Sequence, residues 1–240
     1  MTVVLSPHLD DAVLGAFTVL TGPGEVVVVN VCDGVPQAGR ASDWVRLCGG
    51  CDDAEQMRLR HAEDRAALAT IGCEAIGLGF LEADERPLQA GPETIAEALE
   101  AAVPAAARLI APVGMGSHPD HLAASSAVAG FAARLPVELY ADIPYALRAG
   151  WPPWVSGADP DPHVDPDISW ERALARVPVE RAALDAIVVA LDDTTRATKA
   201  GALECYASQI GALAGGPHQR FDDDALRYEV RWSITATPMG

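Results

Sequence analysis

The sequence predicts an α/β protein built on a mostly parallel sheet. Three observations carry this reading. Val3–Leu5 and Glu25–Val31 are short β-branched runs nearly free of charge, the composition of strands covered on both faces. Ala12–Leu20 has helical character and is closed by Gly22-Pro23-Gly24, so the two strands flank a helix. A strand–helix–strand unit implies a parallel pair with a right-handed crossover. The alternation then continues. Cys73–Phe80 holds a strand, with Ile76, Leu78 and Phe80 alternating, and Leu109–Val113 and Val137–Ala141 read as two more. Helices are expected from about Asp53 to Ile71, over Pro92–Ala107 despite Pro104, and over His121–Arg134.

Asp33–Asp53 is a long Gly-rich loop with no clear period, and Pro178–Tyr206 looks mainly helical. Ser169–Val177 suits either a strand or a helix, and Tyr228–Ile234 has strand period. Tyr145–Trp170 is irregular and carries Trp151-Pro152-Pro153-Trp154; long irregular segments in compact domains often serve as lids or binding loops. The expectation is a single domain over residues 1–240, with a substrate lid or loop at 145–170.

The length suffices for a sizeable core, and 50% hydrophobic residues exclude a disordered chain. The formal net charge is -17, with Lys199 the sole lysine, so a polyphosphate partner such as nucleic acid is disfavoured. The acidity serves solubility, or draws in an amino-bearing molecule. Five cysteines, with no secretory segment and no dense spacing, suggest reduced thiols in a cytoplasm. Cys48-Gly49-Gly50-Cys51 is read as a loop feature, with a reversible disulfide as the alternative. No apolar run approaches the length of a membrane span.

Chemistry concentrates in two clusters, each just past an expected strand. The first is Pro7-His8-Leu9-Asp10-Asp11; the second is His118-Pro119-Asp120-His121. In open α/β sheets ligands collect at the carboxyl ends of strands, so the two can converge. Across a strand-to-helix turn, His8 and Asp11 can reach one ion, with Asp10 left for proton transfer. Asp120 could accept a hydrogen bond from an imidazole and fix its tautomer. Two nitrogens and one oxygen on a metal, with acid–base groups to spare, is the composition of a catalytic zinc site with an open position.

These residues resemble the PIG-L/LmbE-like family of zinc-dependent de-N-acetylases, whose motifs Pro-His-x-Asp-Asp and His-x-Asp-His they match. Weaker similarity runs through Glu63, Ala67 and Gly72, and through Lys199…Tyr206-Ala207-Ser208-Gln209. The resemblance implies a Rossmann-like three-layer α/β/α fold with a mostly parallel sheet. It implies Zn²⁺ on His8, Asp11 and His121, with Asp10 as the base that deprotonates the attacking water. It gives His118 to the oxyanion or the leaving amine, as an imidazolium, and Asp120 to the orientation of His118. Leu9 and Ala12 depart from the common form, in which Pro and Glu stand there. The implied reaction removes an N-acetyl group from an amino sugar or small glycoconjugate, in secondary metabolism or antibiotic biosynthesis.

An amidase cutting a larger acyl group is the nearest alternative. A non-catalytic sugar- or nucleotide-binding Rossmann-like module is disfavoured by two carboxylates where phosphate would sit. Fe²⁺, Co²⁺ and Mn²⁺ also suit the donor set. The expected partner is a small N-acetylated molecule, and a homo-oligomer is compatible with the sequence. Trp151 and Trp154 either stack on a sugar or pack on their own domain. Arg58 and Arg60 are expected to be solvated, with contact to a phosphate or hydroxyl as the alternative; His61 is expected to lie on a helix surface, and His163 and His218 on loops, with substrate contact as their lesser reading.

Overall fold

A computed structural model describes residues 1–83, 91–159, 163–180, 184–214 and 225–234. Among the described residues seven strands form one sheet: β1 (Thr2–Ser6), β2 (Val26–Asn30), β3 (Glu74–Gly77), β4 (Arg108–Pro112), β5 (Val137–Tyr140), β6 (Leu184–Ala190) and β7 (Tyr228–Ile234). Their order is β3-β2-β1-β4-β5-β7-β6. The first five are mutually parallel, and β7 runs antiparallel to both β5 and β6. The chain builds outward from β1 to β3 on one side, then restarts at β4 on the other. The β1–β4 seam is therefore the topological switch point, where the crossovers diverge and leave a crevice. Val3, Val4, Leu5, Leu109, Ile110 and Ala111 make its floor and are essentially without exposure.

The helices are α1 (Asp11–Gly15), α2 (Phe17–Leu20), α3 (Asp43–Leu47), α4 (Asp53–Thr70), α5 (Pro92–Ala102), α6 (Pro119–Ala129), α7 (Pro153–Ser156), α8 (Pro166–Leu174), α9 (Asp193–Leu203) and α10 (Ala207–Ala214). A 3-10 helix spans Tyr145–Ala149. Among the described residues no helix is long and apolar enough to cross a membrane.

Four elements depart from the sequence reading. The helix expected over Ala12–Leu20 breaks at Ala16. The buried carboxylate of Glu229, on β7, accepts from Phe17 N–H at 2.8 Å, Thr18 N–H at 3.0 Å and the Thr18 hydroxyl at 2.6 Å, and so opens α2 as a separate helix. Lys199 Nζ neutralises that carboxylate at 2.8 Å and also donates to the Leu14 carbonyl at 2.7 Å. The segment Pro178–Tyr206 is not mainly helical, because β6 occupies Leu184–Ala190. Its β-branched run Ile187-Val188-Val189 favours strand, and the whole element pairs with β7. The helix from Pro92 stops at Ala102, since Pro104 lacks an N–H and constrains the residue before it. The loop Asp33–Asp53 contains α3, capped by the Ser42 hydroxyl on Val45 N–H at 3.2 Å.

Candidate metal centre

The first cluster sits in the turn between β1 and α1. Ser6, the last residue of β1, donates through its hydroxyl to the His8 carbonyl and accepts from Ala12 N–H at 2.9 Å. His8 N–H donates to Asp11 Oδ2 at 2.8 Å. These bonds fold His8 back over the start of α1, so that its ring and the Asp11 carboxylate face the same way.

The second cluster follows β4. Gly114 (φ 95), Gly116 (φ 87) and Ser117 (φ 61) turn the chain sharply in left-handed conformations before α6. At Gly116 a side chain is excluded twice over, by that angle and by Tyr145, whose Cγ would lie 2.5 Å from a Cβ. His118 is then the N-cap of α6, and its Nδ1 accepts from Asp120 N–H at 3.3 Å. With Nδ1 as acceptor, the neutral ring carries its proton on Nε2. Pro119 takes the first helical position, where its missing N–H costs nothing.

Across the switch point the clusters meet. His8 Nδ1 lies 3.2 Å from Asp11 Oδ2, His121 Nε2 lies 3.3 Å from the same oxygen, and the two nitrogens are 3.3 Å apart. Three corners of a tetrahedron around zinc, with bonds of about 2.0–2.1 Å, stand roughly 3.3 Å from one another. The donors thus fit three ligands of a tetrahedral cation and leave a fourth position. His8, His118 and His121 also bring ring nitrogens within 4.8 Å of one another, a looser set than the triangle that includes Asp11.

The electrostatics are those of a site built for positive charge. Burial depresses His8, but Asp11 and Asp120 outweigh it and leave the imidazole well above its ordinary pKa. Burial likewise opposes the charge on His121, and Asp11 and Asp142 again prevail. Burial also works against ionisation of Asp11, yet His121 and His8 hold it down to about 2. A divalent cation would replace the protons these imidazoles hold, as deprotonated ligands require. Asp10 is buried at the start of α1; desolvation and the adjacent Asp11 raise its pKa, the direction expected of a base poised near neutrality. Burial first, then His8 and His121, pull His118 down to about 4.

Outer carboxylates orient the imidazoles. Asp120 Oδ2 lies 3.1 Å from His8 Nε2 and 3.8 Å from His118 Nδ1, so its nearer imidazole is His8, where the sequence reading gave it to His118. The reason is the fold: as the second residue of α6, Asp120 turns its side chain back across the switch point. Asp142 was not anticipated. Its Oδ1 lies 2.6 Å from His121 Nδ1, and its Oδ2 accepts from Gly114 and Met115 N–H, each at 2.8 Å. An acid two residues past β5 was the available signal.

A cavity of about 200 Å³ opens over the cluster, walled by Trp44, Arg60, Glu82, Tyr145 and Gln209. Arg60 is buried and ion-paired with Glu82, contrary to the solvated arginine expected; Arg58 is exposed. The late Tyr-x-Ser-Gln segment docks on α4. Ser208 bonds Glu63 through N–H (2.8 Å) and hydroxyl (2.7 Å), the Tyr206 hydroxyl donates to Asp64 at 2.7 Å, and Gln209 accepts from Trp44 Nε1 at 3.0 Å. The indole lining the cavity is therefore Trp44 of α3. Trp151 and Trp154 instead pack against Trp170, and Trp151 also against Tyr228. His61 is half-buried, with Nε2 2.7 Å from the Asp33 carbonyl, and His163 is exposed. His218 lies outside the described residues. No disulfide joins the five cysteines, Cys48 and Cys51 included.

The class that this fold and centre define is a metal-dependent N-deacetylase. The chain belongs to the PIG-L family: the family model for GlcNAc-PI de-N-acetylase matches residues 3–132, which hold both clusters. No curated protein matches the chain in sequence. Among solved structures, the zinc inhibited form of teicoplanin deacetylase Orf2 is 23% identical, with 100% of this chain and 99% of that chain covered and a TM-score of 0.76. The antimicrobial reagent A40926 pseudoaglycone deacetylase Dbv21 is 23% identical over 98% of this chain and 96% of that chain, TM-score 0.73. N,N'-diacetylchitobiose deacetylase from Pyrococcus horikoshii is 16% identical over 87% of this chain and 70% of that chain, TM-score 0.52. At these identities the likeness speaks for a shared fold.

Proposed function

We propose that the protein hydrolyses the N-acetyl group of an amino sugar or small glycoconjugate, in the assembly of a glycosylated natural product. The observation that carries this is the triangle of His8 Nδ1, Asp11 Oδ2 and His121 Nε2, with sides of 3.2, 3.3 and 3.3 Å, beside a buried Asp10. Those three side chains would hold Zn²⁺, which when bound supplies a Lewis acid that polarises the amide carbonyl and eases deprotonation of water.

The chain's own residues do the rest. Asp10 takes a proton from the attacking water as its oxygen bonds to the carbonyl carbon. His118 donates from Nε2 to the oxygen on which negative charge develops. The C–N bond then breaks, the amine leaves with the proton that Asp10 took from the water, and acetate is released. Asp120 and Asp142 hold His8 and His121 in register for the metal. Arg60 and Glu82, an ion pair facing the cavity, suit recognition of sugar hydroxyls, and Trp44 offers an apolar face. Tyr145, at the start of the 145–170 segment, closes one side, and that segment serves as the substrate loop.

The test is acetate release from a panel of N-acetylated sugars by the protein reconstituted with zinc, with and without chelator. Turnover that disappears with chelation and returns with zinc supports the proposal. No acetate from any member, with one zinc bound per chain, would overturn it.

A further inference from the structure

Beside the catalytic cavity lies a second groove of about 470 Å³, and Tyr145 lines both. The partition between them is short. Gly116 and Ser117 line the new groove, while His118, the next residue, lines the catalytic one. On the other strand end, Tyr145 faces the centre and Arg148, one turn of the 3-10 helix later, faces the groove. The far wall is α8 and the turn after it, which contribute Arg172 and Arg176.

The charge of this groove runs against that of the molecule. A chain of net charge -17 places three arginines around one cleft, with Asp165 the sole carboxylate among its described lining residues. Asp165 is engaged as the N-cap of α8, where Oδ1 accepts from Ile168 N–H at 3.1 Å. Arg172 stands in the last turn of α8 and Arg176 just beyond its end, and both line the groove. Both are exposed. Arg148 places its guanidinium 5.5 Å from the centre of the Tyr145 ring, which ties the groove's charge to the wall of the catalytic cavity. Planar guanidinium groups match carboxylate and phosphate oxygens in geometry. Val164 and Ile168 add exposed apolar surface at the rim.

We infer that the groove of Arg148, Arg172 and Arg176 is a subsite for an anionic group, carboxylate or phosphate, carried by the substrate beyond the sugar whose N-acetyl group enters the catalytic cavity. This rests on the deacetylase reading for the term "substrate", but the groove's affinity for an anion does not. In a chain of net charge -17, an arginine-lined groove gives an anion a local attraction that the net charge opposes.

The test has two arms. In the first, inorganic phosphate and succinate are titrated calorimetrically into the wild-type protein and R172Q/R176Q at low and moderate salt. At least one anion should bind the wild-type protein, weaken as salt rises, and bind the variant at least fivefold more weakly. Equal affinity in the two proteins, or no binding of either anion, overturns the subsite. In the second arm, acetate release is compared for the methyl glycoside of N-acetylglucosamine, its 4-carboxyphenyl glycoside and its phosphorylated glycoside. The wild-type protein should favour an anionic substrate at least tenfold in kcat/KM, and the variant should lose that preference while keeping its rate on the methyl glycoside. The carboxylate and the phosphate arms tell the two sources of charge apart. A wild-type protein that binds the anions but cleaves none of the glycosides leaves the groove standing and counts against the proposed reaction instead.

Discussion

Asp142 Oδ1 lies 2.6 Å from His121 Nδ1, and its other oxygen is held by two backbone N–H groups. The carboxylate is thereby fixed before it touches the imidazole, and it dictates which nitrogen of His121 turns toward Asp11. Carboxylate partners of this kind typically contribute about 10–100-fold in metal affinity. Asp142→Asn should bind zinc that much more weakly, measured by competition with a chromogenic chelator. Circular dichroism should show the fold retained. Unchanged affinity would mean that the pair merely fills space.

Asp10→Asn should separate chemistry from metal. Asp10 is no part of the triangle, so one zinc per chain should remain by elemental analysis. Loss of the proton acceptor should lower turnover by about 10²–10⁴-fold. Wild-type turnover in that variant would remove Asp10 from the reaction.

The buried pair Lys199–Glu229 predicts an asymmetry. Glu229 retains three further donors from Phe17 and Thr18 when the lysine is lost, whereas Lys199 retains one carbonyl when the glutamate is lost. Breaking a buried ion pair costs about 3–5 kcal/mol. Glu229→Ala should reach that range in urea unfolding, and Lys199→Met should fall below it. The opposite ranking would show that the amides of α2 do not depend on the carboxylate.

Stability should also depend on Asp64. Burial raises its pKa to about 6 despite bonds from Tyr206 and Asn30. The native state thus holds a proton that the unfolded chain, near its ordinary value of about 3.9, has released. This contribution is complete below about pH 4 and is lost as pH rises through 6. A shift of this size corresponds to about 3 kcal/mol. Asp64→Asn should therefore gain stability over the wild-type protein between pH 4 and 7, followed by urea unfolding across that range. Asn30 Oδ1, which is buried without a partner, can accept from the new amide after a flip of its own. A difference that stays flat with pH would contradict this.

What the sequence exposed and what it hid divide along a physical line. His8, Asp10, Asp11, His118, Asp120 and His121 were legible because each cluster follows directly on an apolar run, so local pattern alone placed them at a strand end. The parallel strands were legible for the same reason. Arg60, Trp44, Tyr145 and Asp142 were not, since nothing local says which face of α4 is covered or that α3 returns over the centre. Strand β6 was missed because its β-branched core, Ile187-Val188-Val189, is short and set between alanine-rich stretches that speak for helix, and because its partner lies across the α9 and α10 region of the chain. The break at Ala16 depends on Glu229, more than two hundred residues away.

Ribosomes deliver a chain from its first residue, so the turn bearing His8 and Asp11 is synthesised long before Glu229, the carboxylate on the final strand that holds the first amides of α2. Until that strand slides between its two neighbours, the amides of Phe17 and Thr18 must borrow water. A nascent chain released short of Glu229 would carry every candidate ligand and still lack the brace behind them.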